Sequence, residues 1–317
     1  MLTRRILLLA FTLAACGDAT VHRINPVERR AAVDALAAQV SAHYVDAAAA
    51  QRIGAMLRAG DYNAIADDAA LAGRLSADLL KASGDARLRV APTPPTLPWL
   101  RRDDGGIDSV SMVAADIGYM DIRRFLAPDR SAAPYARAFG TLRAAKTVIV
   151  DLRHNDGGDA DGLQLLSSYV VDRPIQYASL ARRTGAPEAR WAFPQLAARP
   201  YLEQLMFLIG PATSAEAENF AFAMQAWKRA TIIGARSAGV ATASARVAIG
   251  ANLLAEIPDA HVTLPLTRTA WIGGLKPDLA TNGDALKEAK RRILTDRLAR
   301  ATTPMGRQAL LSMLNDL

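Results

Sequence analysis

The run Thr147-Val-Ile-Val-Asp-Leu152 constrains the fold more than any other stretch of this chain. Its residues are β-branched or apolar except for Asp151, and no alternation leaves one face for water. A strand of this kind is buried on both faces, as in α/β proteins whose sheets carry helices on either side. The segment from Phe207 to Gly239 extends the same reading. Phe207 to Gly210 is a short apolar run, Pro211 and Ala212 break it, and Ala217 to Trp227 carries apolar residues at helical spacing. A new β-branched run, Thr231 to Ile233, follows. Strand, turn, helix and strand succeed one another within a few dozen residues.

A side chain at positions 213 to 216 therefore sits where a strand hands over to a helix. Such a place exposes a nucleophile and lends it the positive end of the helix dipole. By spacing alone, Thr213 or Ser214 reads first as the cap of that helix. Past the first strand, Asn155-Asp-Gly157-Gly158 places two glycines at a sharp turn. Glycine there can aim backbone N–H groups at a bound oxygen, or it can serve the turn and nothing more.

Upstream, apolar residues recur at helical spacing in Val33, Leu36 and Val40, in Ile53 and Leu57, and in Leu71, Leu75 and Leu79. This predicts three or four helices packed as a small bundle over residues 27–91. Asp85 to Val90 reads as a short strand-like exit, and Pro92, Pro94, Pro95 and Pro98 make a stiff connector. A second unit over 92–285 follows. Its predicted strands are Ser109 to Ala114, Ile117 to Ile122, Ile175 to Ala181, Arg246 to Ile249, Leu253 to Ile257 and His261 to Pro265. Its predicted helices are Pro134 to Ala144 and Asp161 to Val170, and Arg182 to Arg199 reads as a surface excursion. Residues 286–317 close the chain as helices, read over Asp284 to Arg300 and Arg307 to Leu314.

Residues 1–15 have the arginines, apolar core and small-residue end of a signal peptide. Leu13-Ala-Ala-Cys16 resembles a bacterial lipobox, which would make Cys16 the lipidated first residue, with 16–26 as a tether. The expected location is the bacterial cell envelope, facing the periplasm or the exterior, with the membrane met through the lipid alone. Cys16 is the one cysteine, so neither disulfides nor a thiolate metal site are open to this chain. The four histidines are far apart in sequence, which argues against zinc. The net charge of +7 is spread over scattered arginines with no nucleic-acid-binding motif behind it. No cofactor is expected.

Taken together, Ser83-Gly-Asp-Ala-Arg-Leu-Arg-Val90, Ile117 to Phe125, Asp151 to Gly158, Gly210 to Ala221, Arg229 to Gly234 and Trp271 to Asp278 resemble the tail-specific, or C-terminal-processing, serine peptidases. The branch is that of the tricorn core protease and the interphotoreceptor retinoid-binding protein. The resemblance covers nearly all of the chain after the signal peptide. It implies an α/β fold with a core like that of crotonase and the Clp protease subunit, preceded by a small helical domain. It also implies that Gly157 and Gly158 serve an oxyanion or peptide site.

Carried over residue by residue, the resemblance places the nucleophile at Ala215, with Ser214 adjacent, and the histidine base at Arg87. Arginine stays protonated and cannot accept a serine proton. The base lysine of the Ser-Lys members falls on Val240, and the orienting acid on Ile272. Three functions stay open. One is a non-catalytic member that binds a peptide, an unfolded protein C-terminus or a small apolar ligand near Gly157, Gly158 and Ser214. Another is a serine endopeptidase that uses Ser214 with a rebuilt base, for which His154 is the histidine inside a family motif. The third is a structural envelope protein with no groove function.

Overall fold

The computed structural model describes residues 22–93, 104–197, 199–239, 243–263 and 273–317. The chain begins with three helices, α1 (Pro26–His43), α2 (Ala47–Ala59) and α3 (Asp68–Ser83). Each start is capped by an acceptor side chain, from Asn25, Asp46 and Asp67. At Asn25 the cap is reciprocal: its side chain accepts from the Glu28 N–H, and the Glu28 carboxylate accepts from the Asn25 N–H. The buried stripe consists of the residues that the helical spacing marked, Val33, Leu36, Val40, Ile53, Leu57, Leu71, Leu75 and Leu79.

These helices do not close their own core. Strand β1 (Arg89–Pro92) pairs antiparallel with a strand from far along the chain, β10 (Leu253–Thr263). Ile249, Leu253, Ala255 and Ile257 then complete the apolar cluster of the bundle. The helical unit expected over 27–91 thus shares a sheet with the unit that follows it.

The larger sheet has six strands. An antiparallel hairpin, β2 (Ile107–Ala114) and β3 (Ile117–Ile122), is followed in space by the parallel strands β4 (Thr147–Asp151), β7 (Gln204–Ile209), β8 (Ala230–Gly234) and the short β11 (Leu279–Ala280). All five residues of β4 are buried. Alternate residues divide between two apolar layers, as the pleat requires. Val148, Val150, Leu205, Phe207 and Ile209 face one layer, together with helices α4 (Pro128–Thr141), α5 (Ala160–Ser168) and α6 (Glu216–Ala226). Ile149, Met206 and Leu208 face the other, under α7 (Ala285–Arg300), which contributes Ala285, Ala289 and Ile293. Helix α8 (Pro304–Asn315) follows with no buried residue.

The second sheet joins β1, β10, β5 (Ile175–Arg182) and β6 (Glu188–Ala192), with β9 (Ala243–Ala248) on the other edge of β10. Three expectations change here. The Arg182 to Arg199 stretch holds β6, whose signal is hidden by the turn residues Gly185 and Pro187 beside it. Leu253 to Ile257 and His261 to Thr263 belong to one strand, with Pro258 at a register shift, the kind of place where a missing N–H is tolerated, and the last two residues of the expected strand lie outside the described residues. Helix α4 starts at Pro128 rather than Pro134, because a proline in the first turn forfeits no helical hydrogen bond.

Among the described residues no helix is long and apolar enough to cross a membrane.

Candidate functional site

Strands β4 and β7 are parallel neighbours, with Asp151 opposite Leu208, so the turns that leave them lie side by side at the carboxyl edge of the sheet. That edge is where open parallel sheets place ligands. Two fully buried polar side chains lock the turns together. Thr213 Oγ1 donates to Leu152 O at 2.7 Å and accepts from Gly210 N–H at 2.9 Å. Asn155 Nδ2 donates to Ile122 O at 3.1 Å, and its Oδ1 accepts from Gly157 N–H at 2.8 Å. Ser214 N–H donates to Asn155 O at 3.1 Å, tying one turn to the other. Thr213 is therefore an internal clamp, and it does not cap the helix.

The residue at the cap of α6 is Ala215, with φ 52° and ψ −124° and no side-chain cap bond. A positive φ is strained for any residue with a Cβ, at a cost of order 1–3 kcal/mol. A sharp strand-to-helix turn of this kind lifts one side chain above the sheet edge. Here the lifted side chain is a methyl group.

Gly157 and Gly158 face this turn with φ 91° and 137°. A Cβ on Gly158 would collide with the Phe125 carbonyl, so the position admits glycine alone. The Gly158 N–H points at the Glu216 carboxylate, 3.2 Å from Oε2. Burial pushes the Glu216 carboxyl above its usual range, against the opposing pull of its own N–H and that of Gly158.

Around the turn opens a cleft of about 400 Å³, lined by Gly158, Ser214, Ala215 and Glu216 and by the charged side chains Arg87, Arg89, Arg246, Asp156 and Glu256. The charges are largely paired. Arg87 grips Asp85 with Nε and Nη2, both at 2.6 Å, and Arg89 reaches Glu256 at 2.8 Å. Burial drives the Asp85 carboxyl upward, but the Arg87 hydrogen bonds outweigh it and hold the group below its ordinary range. His154 is exposed and lines a neighbouring cleft of about 420 Å³ with Asp104, Asp108 and Arg123. No hydrogen bond joins His154 to Ser214.

Residues 116–281 match the model of peptidase family S41, just over half of the chain. The chain belongs to peptidase family S41. Residues 25–117 match the N-terminal domain of peptidase S41 in eukaryotic IRBP. The fold is similar to that of a lipoprotein from Streptococcus agalactiae, with TM-score 0.63 and 11% identity over 87% of this chain and 99% of that one. It is also similar to the photosystem II D1 C-terminal processing protease, with TM-score 0.53 and 15% identity over 81% of this chain and 94% of that one.

Within this S41 chain, Ser214, Ala215, Arg87, Gly157 and Gly158 are described, and all but Gly157 line the one cleft. Cys16, Val240 and Ile272 lie outside the described residues. Two carboxylates were given no site role from the sequence. Glu216 carried no signal, because an acid in the first turn of a helix is ordinary. Glu218 is fully buried and accepts from Ser237 Oγ and from Gly239 N–H at 2.7 Å. Ser237 Oγ in turn accepts from Leu275 N–H at 2.7 Å. Glu218 thereby ties α6 to the loops around 237 and 275.

Proposed function

We propose that this S41 domain has lost catalysis and acts by binding peptide in the cleft above Ala215, on a cell-envelope lipoprotein anchored through Cys16. The reading is carried by one observation: the strained apex of the strand-to-helix turn holds Ala215, which has no nucleophilic atom. Two further features support it. Arg87 is committed to Asp85 and stays protonated, so it is no general base. Ser214 lies one residue before the apex, and its neighbours in the cleft include arginines and acids but no histidine. The charged lining favours a polar peptide over an apolar ligand. Loss of a single triad member costs several powers of ten in rate, about as much as loss of all three, and leaves only the oxyanion hole and binding to act.

A fluorophosphonate probe is expected to leave the protein unlabelled under conditions that label an active serine peptidase to completion. Labelling that disappears in Ser214→Ala would overturn the loss of catalysis and establish Ser214 as a nucleophile. Cys16→Ala is expected to move the protein from the membrane to the soluble fraction. Unchanged membrane association in that variant would remove the lipid anchor from the proposal.

A further inference from the structure

The two N–H groups that a strand-to-helix turn offers to a substrate oxygen come from the residue after the apex and from a facing loop. Here they belong to Glu216 and Gly158. The Gly158 N–H is already engaged by the side-chain carboxylate of Glu216, whose Oε2 lies 3.2 Å from it. The fit is close: a Cβ on Gly157 would meet Glu216 Oε2 at 2.5 Å and Ala215 Cβ at 2.8 Å. A carboxylate carries the charge and the oxygen geometry that such a donor pair is shaped to hold. It also starts from the same residue as one of the donors, so it returns to the site without the entropy loss that a free ligand suffers.

We propose that Glu216 is a tethered stopper on the Gly158 N–H, one of the donor pair of this turn, which a ligand oxygen must displace, and that its removal turns this spot into an open carboxylate site. The inference rests on the cleft being the ligand site of the protein. Glu216 then sets specificity. A peptide carbonyl that must be brought from solution competes poorly with a group tethered beside the N–H, so ligands bind around the spot or bring a carboxylate of their own.

Acetate is the probe, and the Gly158 amide is the reporter. Labelling with ¹³C-carbonyl and ¹⁵N glycine isolates the Gly-Gly pairs at 105–106, 157–158 and 273–274 in the spectrum of the full chain. In Glu216→Ala, acetate is expected to shift the Gly158 amide with a midpoint about tenfold or more below that of the wild type. Glu216→Gln keeps the volume and loses the charge. Its Gly158 resonance is expected to move upfield of the wild-type position and to respond to acetate at an intermediate midpoint. Equal midpoints in the wild type and both variants, or no shift in any, would overturn the proposal. If Glu216→Ala loses the dispersion of its other glycine resonances, the Glu216→Gln comparison decides on its own. The outcome is separable from that of the loss of catalysis: fluorophosphonate labelling at Ser214 would defeat the latter and leave the acetate response of Gly158 as it is.

Discussion

Ala215→Ser combined with Arg87→His and Glu216→Ala is expected to be labelled by a fluorophosphonate, whereas the wild type is not. The serine would stand at the strained apex of the turn, where φ 52° lifts the side chain above the sheet edge. A histidine at 87 would face the same cleft, and Asp85, now gripped by Arg87, would be free to hold the imidazole in one tautomer. Glu216→Ala frees the Gly158 N–H, one of the pair that must receive the developing oxyanion. One such donor contributes roughly a hundredfold to a thousandfold in rate. The double variant that retains Glu216 is therefore expected to label slower than the triple variant by about that factor. Equal rates would show that the carboxylate leaves the Gly158 N–H freely. A triple variant as inert as the wild type would show that Ala215 is not the lost nucleophile position.

The second large effect is on stability. Asp151→Asn is expected to lower the unfolding free energy by about 3 kcal/mol, read from the urea midpoint at unchanged slope. Asp151 is 1% exposed and accepts from Tyr119 Oη at 2.8 Å, from Arg153 N–H at 3.0 Å and from the Arg153 guanidinium at 2.7 Å. An asparagine amide would turn a donor toward donors and strand the guanidinium. The figure is set at the low end of the range for a broken buried pair because the Arg153 side chain is 31% exposed. Burial alone would raise the Asp151 carboxyl. The Arg153 and Tyr119 hydrogen bonds outweigh it and hold the group below its ordinary range. Its contribution is thus fully present above the unfolded carboxyl value and is lost as pH falls through the folded one. Glu216 has the opposite sign. Its raised value makes its contribution fully present below the ordinary carboxyl range and lost as pH rises through the folded value. The acid limb of the wild-type stability curve is therefore expected to flatten in Asp151→Asn.

Much of this architecture is legible in the sequence, and the reason is local. The period-two division of β4 and β7 between two apolar layers, and the stripe from Val33 to Leu79, follow from short-range geometry that each residue carries with it. So does the strand-to-helix turn at Pro211 to Ala215, where loss of alternation, a proline and the onset of helical spacing coincide. The misread strands were those whose pairing is set from a distance. Strand β6 is a strand because β5 lies beside it, and β10 runs on past Pro258 because β1 and β9 grip its first part and β5 its last.

The site divides along the same line. That residue 215 is an alanine, residue 87 an arginine and residues 157 and 158 glycines is a matter of sequence alone. Three things depend on the register between β3, β4 and β7, which brings the turns after them together: the clamp of Asn155 and Thr213, the strain at Ala215 and the seat of the Glu216 carboxylate against Gly158. Glutamate in the first turn of a helix is an unremarkable choice, and its meaning here is decided by a backbone N–H that lies 58 positions earlier in the chain. Hydrogen bonds act over about 3 Å in space and are blind to separation along the chain, so only the assembled sheet could reveal that contact.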